Sequence, residues 1–459
     1  MSLRSIFPGK NRIQNTERFS AMKKTEVTRR NFLKSLSAVA ALSAIAAVSG
    51  CMSGVSANVR KKNKQNILFI MTDQQRRDTI RCYGNDKVQT PALDSLARSG
   101  ARLTSCYTTQ PVCTPCRSSI ITGKFPTAID TWENKRPLKD HSTSWLRILG
   151  EAGYKTCYIG KWHLGDGDKG PDYIDDWHGY ETGWPHWMKD PKTNAKRYRP
   201  DEESDYAINF MKKHKDVPFA CFVSYYPPHT KKIAPEENMK LYDGVFKNRG
   251  QHMYHAMVNR IDWNVGRMLK FLDESGLADN TIVVFTSDHG ENYPHRWNKH
   301  HKRLCYDQSA NVPLIVRAPG VTKPGTVLTQ PVSSADLCPT ILDLLGFGVP
   351  GEIHGLSMRP LLSGNVKGWR EDVFIQNRPI KFKDEMMERC IVTDRWKLIL
   401  NQKRPPELYD RRAKVKDSDN LYGKVDQEIV DDLFERLSRW GKFVSDSLVD
   451  ELLTKYKSV

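Results

Sequence analysis

Ile67-Leu68-Phe69-Ile70-Met71-Thr72-Asp73-Gln74 decides how the chain is read. An unbroken apolar run, followed at once by a carboxylate and an amide, predicts a buried strand. Open α/β sheets build their sites at the carboxyl ends of such strands, so Asp73 and Gln74 stand where chemistry is expected. Further apolar runs at 219–225, 281–286 and 312–316 read the same way. Met257, Ile261, Val265, Met268, Leu269 and Leu272 follow helical spacing up to Gly276. Thr90-Pro91 opens a helix through Leu96 that stops near Gly100, and 335–345 predicts another, ending at Gly346. Strands alternating with helices imply a doubly wound sheet. After a loop around 363–368 the texture changes. Residues 372–376, 389–393 and 397–400 read as short strands without intervening helices, and a closing helix spans about 427–444, so a smaller antiparallel C-terminal subdomain is expected.

The 459 residues suffice for a large core. The formal net charge is +18, but residues 1–50 hold nine Lys/Arg against two acids, leaving +11 on a product that starts at Cys51. A basic surface suits anionic partners. No helix-turn-helix, zinc-finger or RNA-binding fingerprint supports nucleic acid, and a sulfated glycan fits the same charge. Ten cysteines show no metal-type spacing and no regular disulfide framework. Cys113 and Cys116 form a C-x-x-C, so a thioredoxin-like redox motif is one reading of that pair.

The first sixty residues read as an address. Thr28-Arg29-Arg30-Asn31-Phe32-Leu33-Lys34 resembles a twin-arginine export signal, followed by an Ala/Ser/Val/Leu run through Ala47. Val48-Ser49-Gly50-Cys51 has the form of a lipoprotein cleavage box, with Cys51 as the lipid-bearing new N-terminus. The apolar run is too short to span a bilayer convincingly, so any membrane contact is expected through lipid alone. Met22-Lys23-Lys24 has the look of a natural start. The expected division is a signal region over 1–51, a tether over 52–65, a catalytic domain over 66–365 and a C-terminal α+β subdomain over 366–459.

Cys113-Thr114-Pro115-Cys116-Arg117 lies inside a longer stretch from Pro111 to Lys124. Five other segments accompany it in order: Thr72-Asp73-Gln74-Gln75, Gly160-Lys161-Trp162-His163-Leu164-Gly165, Pro227-Pro228-His229, Thr286-Ser287-Asp288-His289-Gly290-Glu291, and His301-Lys302 ahead of Tyr306. Together they resemble the type I sulfatase family from Asn66 to the last helix. Each segment alone is weak, but their order and spacing agree. The resemblance implies an alkaline-phosphatase-like fold: a large mixed sheet sandwiched by helices, plus a small C-terminal antiparallel sheet with a helix. It implies that Cys113 is oxidised to Cα-formylglycine, whose hydrated gem-diol is the nucleophile. A formylglycine-generating or anaerobic maturation enzyme is then a required partner, alongside the export machinery.

By the same resemblance Asp73, Gln74, residue 113, Asp288 and His289 hold a divalent cation, with Ca2+ the usual ion and Mg2+ or Mn2+ possible. The family commonly has Asp at Gln74 and Asn or Asp at His289. These departures remove a carboxylate and open the site to a softer metal such as Zn2+. An isolated Asp would be an ordinary turn residue. Residue 113 is expected at the start of a helix running from about Ser118, with Arg117 neutralising charge beside it. Lys161, His229 and Lys302 match residues that clamp the sulfate oxygens. His163 matches the residue beside the diol and takes the second hydroxyl's proton, while His229 or Lys302 protonates the departing oxygen.

Substrate contacts fall outside those motifs. Residues 176–189 read as a loop dense in Trp177, Trp184, His186 and Trp187, which either stacks on sugar rings or packs against the body. Trp132 and Arg136 are further rim candidates. The expected activity is hydrolysis of sulfate esters on a carbohydrate. The alternatives are a phosphonate monoester or phosphodiester hydrolase of the same fold, and a catalytically inactive glycan-binding surface lipoprotein.

Overall fold

Strand β1 (Asn66–Asp73) is buried at every position. Ile67, Phe69 and Met71 face one core while Leu68 and Ile70 face another, so the apolar run has no polar alternation. The computed structural model describes residues 64–183, 185–189, 193–292, 302–378, 387–413 and 417–457. The signal region with Cys51, the tether up to Asn63, Trp184 and His301 lie outside the described residues.

The strands that follow are β2 (Ala101–Tyr107), β3 (Lys155–Lys161), β4 (Asp176–Tyr180), β5 (Trp187–Lys189) and β6 (Lys196–Tyr198). Then come β7 (Phe219–Pro228), β8 (Thr281–Ser287), β9 (Asn311–Arg317), β10 (Thr326–Leu328) and β11 (Val332–Ser333). A nine-stranded sheet has the order β10-β2-β9-β8-β1-β7-β3-β4, with β11 also paired to β2. The sheet is mixed, as the family resemblance implies, because β9 runs antiparallel to both β8 and β2. Strand β9 runs back from the end where β8 finishes, as an antiparallel neighbour does. That return keeps Asp288, His289 and Lys302 at the same end of the sheet.

Helices cover both faces. On one side lie α1 (Pro91–Ser99), α4 (Arg199–Lys213) and α5 (Arg249–Glu274); on the other lie α2 (Cys113–Thr122), α3 (Trp145–Glu151) and α6 (Leu337–Leu344). The C-terminal sheet has the antiparallel order β12 (Asp372–Asn377), β13 (Glu388–Thr393), β14 (Trp396–Asn401), β15 (Glu407–Asp410). Helices α7 (Gln427–Phe443) and α8 (Ser447–Lys457) pack on one of its faces. Strand β15 and helix α8 were absent from the expectation; β15 is only four residues long and follows Pro405-Pro406. The other face of this sheet backs Leu304, Cys305 and Tyr306 through Val373, Ile375, Cys390 and Val392. It thereby supports the segment that carries Lys302. No helix among the described residues is long and apolar enough to cross a membrane.

The stretch 176–189 is not a single loop. Its first part is the edge strand β4 and its last part pairs with β6. Trp177 stacks on Tyr158 at 5.4 Å and meets Trp162 edge-on at 5.6 Å, so its ring belongs to the core and not to a sugar site. An edge strand alternates its side chains between core and solvent, and Trp177 falls on the inward side.

Candidate active site

Four neighbouring parallel strands, β8, β1, β7 and β3, end at one edge of the sheet. They bring Asp288, Asp73, His229 and Lys161 there, as residues at strand ends or one step beyond. Opposite them α2 begins at Cys113 itself, five residues earlier than expected. Pro115 belongs in that first turn, where its missing N–H costs nothing. The helix is buried throughout and directs its positive end at residue 113.

Arg117 lies one turn along, on the same face as Cys113. Its Nε donates to Asp288 Oδ2 at 2.9 Å and an Nη donates to Asp73 Oδ2 at 3.0 Å, with all three side chains buried. The other Nη reaches the Lys161 carbonyl at 2.5 Å and Ser224 Oγ at 2.8 Å. Ser224 in turn donates to the Lys161 carbonyl at 2.7 Å. Gly160 permits this: its φ is +93°, and a Cβ there would lie 2.1 Å from the Ser224 carbonyl oxygen. Lys161 Nζ pairs with the same Asp73 oxygen as Arg117. Despite burial, Lys161 and Arg117 hold the Asp73 carboxyl well below its ordinary range. Asp73 Oδ1 is left facing Cys113 Sγ at 3.8 Å and His289 Nε2 at 3.9 Å.

His289 Nδ1 lies 2.9 Å from the Gly290 carbonyl, which only accepts, so this nitrogen carries the proton. Its Nε2 lone pair then points at Cys113 Sγ (3.3 Å) and Asp288 Oδ1 (3.7 Å). The ligand atoms of Asp73, Cys113, Asp288 and His289 all lie within 4.8 Å of one another, and all four residues are buried. Two carboxylates and an imidazole with its tautomer fixed from behind suit a divalent cation. Gln74 is buried at a φ of 67°, with its backbone N–H donating to Asp288 Oδ1 at 3.0 Å.

Lys302 Nζ approaches Cys113 Sγ at 3.0 Å, His229 Nε2 at 3.1 Å and His289 Nε2 at 3.4 Å. His229 donates from Nδ1 to the Thr230 carbonyl at 2.8 Å, so its Nε2 accepts from Lys302. Burial opposes ionisation of Cys113, yet the Lys161 and Lys302 ammonium groups outweigh it and hold the thiol well below its ordinary value. Cys116 is the contrary case: burial pushes its thiol up to about 12, and among the described residues no cysteine is in a disulfide. The Cys113 sulfur lies among Asp73, Asp288 and His289, the surroundings of a metal-side residue and not of a dithiol pair, which speaks against the redox reading. His163 has a φ of 60° and lies against Cys113; burial lowers its pKa, the Cys113 sulfur opposes this, and Lys161 reinforces it. Its buried Nδ1 has no hydrogen-bond partner among the described residues.

Ser224 and Tyr226 escaped the sequence reading. Lys161 Nζ sits 5.2 Å over the Tyr226 ring, which lies 4.9 Å from His229. Their signal was the polar tail Ser224-Tyr225-Tyr226 of a strand otherwise apolar. His186 is buried beside Tyr226 and Tyr198. Trp187 is 36% exposed in a separate groove with Arg197, Arg260 and Trp263. Trp132 is half-buried, its indole N–H donating to Asp130 and its ring under Arg136 at 4.4 Å.

Residues 65–347 match the family described as Sulfatase, and residues 294–442 match the C-terminal region of N-sulphoglucosamine sulphohydrolase. An N-acetylglucosamine-6-O-sulfatase of Bacteroides thetaiotaomicron is 27% identical over 81% of this chain and 85% of its own. The uncharacterised Escherichia coli sulfatase YidJ is 30% identical over 79% of this chain and 84% of its own. A protein solved in complex with its substrate D-glucosamine-2-N,6-O-disulfate superposes with a TM-score of 0.70 at 24% identity, covering 85% of this chain and all of that one.

Proposed function

The chain belongs to the sulfatase family and is a sulfuric ester hydrolase, and from that premise we propose that it desulfates a carbohydrate through a formylglycine made from Cys113. The observation that carries this reading is the convergence of Lys302, Lys161 and His163 on buried residue 113, beside a carboxylate-rich donor set that Arg117 fixes. Relatives named for carbohydrate sulfates and a net +11 beyond the signal region support the sugar.

Sulfatases use a metal ion; here Asp73, Gln74, Asp288 and His289, with residue 113, would hold it, and Ca2+ is the proposed ion. Oxidised to formylglycine, residue 113 supplies a geminal diol as nucleophile, and the cation supplies positive charge at the same point. Lys161 and Lys302 present ammonium groups to the sulfate oxygens, and His229 adds a third polar contact, so charge developing on the sulfuryl group meets preset donors. Arg117 does not reach outward; it fixes both carboxylates. His163, kept neutral by burial, accepts a proton at its unpartnered Nδ1. Lys302, hydrogen-bonded to His229, delivers a proton to the departing sugar oxygen. His186, beside Tyr226 and His229, and Trp132 at the rim are proposed sugar contacts; Trp187 would serve only a longer chain. Export, lipid attachment at Cys51 and maturation by a formylglycine-generating or anaerobic enzyme complete the proposal.

The test is the mass of the tryptic peptide 103–117 from the native host, where conversion of the thiol to an aldehyde removes about 18 Da. The matured protein is then given N-acetylglucosamine 6-sulfate, an aryl sulfate and an aryl phosphodiester. An unmodified thiol at 113 refutes the formylglycine mechanism, and preferred turnover of the diester refutes the carbohydrate-sulfate reading.

A further inference from the structure

A cleft of about 360 Å3 opens from the catalytic centre, lined by Thr114, His163, Lys135, Arg136, Glu181 and the apolar faces of Pro137 and Leu164. The rim segment 130–137 that forms one wall is bolted to both sides of residue 113. Asn134 Oδ1 accepts the backbone N–H of Thr114 at 3.1 Å, next to the nucleophile. Glu133 receives both terminal nitrogens of Arg303 at 2.8 and 3.0 Å, next to Lys302. Whatever residues 135 and 136 present is therefore held in fixed register with the scissile sulfate.

They present positive charge. The Lys135 ammonium has no hydrogen-bond or ion-pair partner among the described residues, and its backbone is held at a φ of 71°. Arg136 stacks 4.4 Å over Trp132 and bonds Asp130 through Nε and one terminal nitrogen. The acids nearby are already engaged: Asp130 by Arg136 and the Trp132 indole, Glu181 by the backbone amides of Gly165 and Gly167. A cation left without a counter-ion beside an anion-handling centre favours an anionic group on the incoming molecule.

We propose that Lys135 and Arg136 form a second anion subsite, which selects carbohydrate sulfates bearing a further anionic substituent, sulfate or carboxylate, close to the sulfate that is cleaved. The inference rests on the carbohydrate-sulfate reading and names the substrate class within it. The additional anion is thus read on the rim that follows α2, apart from the sugar contact proposed for His186.

The experiment compares wild type, Lys135→Ala, Lys135→Arg and Arg136→Ala, each matured to formylglycine. The substrates are glucosamine 6-sulfate, glucosamine 2-N,6-O-disulfate, a sulfated disaccharide carrying a uronate, and 4-nitrophenyl sulfate. The expected result is a KM about tenfold higher in Lys135→Ala for whichever dianionic sugar is preferred, with kcat little changed. Lys135→Arg should recover most of the loss, and the two sugars tell sulfate from carboxylate. Equal effects on monosulfated and dianionic sugars, or none on either, overturn the subsite. Wild type that cleaves only the aryl sulfate refutes the carbohydrate reading instead. In that case the dianionic sugars are tested as inhibitors of aryl sulfate turnover: inhibition lost in Lys135→Ala supports the subsite, and inhibition unchanged, or none by wild type, overturns it.

Discussion

Lys302 Nζ lies 3.0 Å from Cys113 Sγ although 189 positions separate the two residues. The antiparallel return of β9 and the C-terminal sheet behind Cys305 and Tyr306 create that contact. Because Lys302 also bonds His229 Nε2, it serves as both charge clamp and proton donor. Lys302→Ala should lower kcat/KM on an aryl sulfate by about 10²–10³-fold while the unfolding midpoint hardly moves. Lys302→Arg keeps the charge but not the compact ammonium, so it should recover little. A tenfold loss or less in Lys302→Ala would sink the assignment.

Arg117 makes a structural prediction of a different kind. It links two carboxylates that are 0% exposed, and removing it leaves buried like charges facing each other. Arg117→Ala should cost about 3–5 kcal/mol in urea unfolding at fixed metal concentration. Arg117→Lys should recover only part, since one ammonium cannot replace a planar fork that bonds Asp73, Asp288, Ser224 and the Lys161 carbonyl together. A loss below about 1 kcal/mol would show that the carboxylates protonate or rehydrate freely.

Much of this site was legible because the chemistry sits where apolar runs stop. Asp73 and Asp288 each follow a stretch buried on both faces, and a strand end is the one place where such a run can expose a charge to a cleft. His229 was marked by its motif, although β7 runs three residues further than the apolar stretch alone suggests. What stayed hidden depends on direction in space. Trp177 and Trp187 are both aromatic residues in a polar context, yet one faces inward from an edge strand and the other outward from a ribbon. The resemblance implied a mixed sheet, but nothing marked β9 as the strand that reverses, since an apolar pentad carries no sign of its polarity along the sheet. Lys135 and Arg136 gained their significance only when Asn134 and Glu133 proved to be fastened beside Cys113 and Lys302.

The donor set predicts how the protein answers to metal. With a carboxamide at 74 and an imidazole at 289, the site offers a hard cation fewer negative ligands than two further carboxylates would. Chelation should abolish sulfate release and lower the melting temperature, and returning Ca2+ should restore both. Saturation at 100 times Kd is worth about 2.7 kcal/mol of stability. Gln74→Asp should tighten Ca2+ binding about tenfold, measured by titration calorimetry. Turnover untouched by exhaustive chelation would refute the cation's role, and Mn2+ outcompeting Ca2+ would reassign its identity to a softer ion.

Glu203 on α4 carries a prediction for pH. Its carboxyl is 3% exposed, bonded by Tyr180 Oη at 3.1 Å and 3.8 Å from Arg199. Burial pushes its pKa from 4.5 up to about 8, with Arg199 and Tyr180 pulling the other way. A raised pKa means that the folded protein holds this proton more tightly than the unfolded chain. The stabilisation is therefore complete below pH 4.5, declines as the pH rises, and is gone above about 8. Glu203→Gln keeps the shape and removes the titration. It should match wild type near pH 4.5 and exceed it at pH 9 by on the order of 5 kcal/mol in urea unfolding. Parallel stability curves for the two proteins between those pH values would show that Glu203 stays ionised in the fold, with Arg199 sufficient to hold its charge.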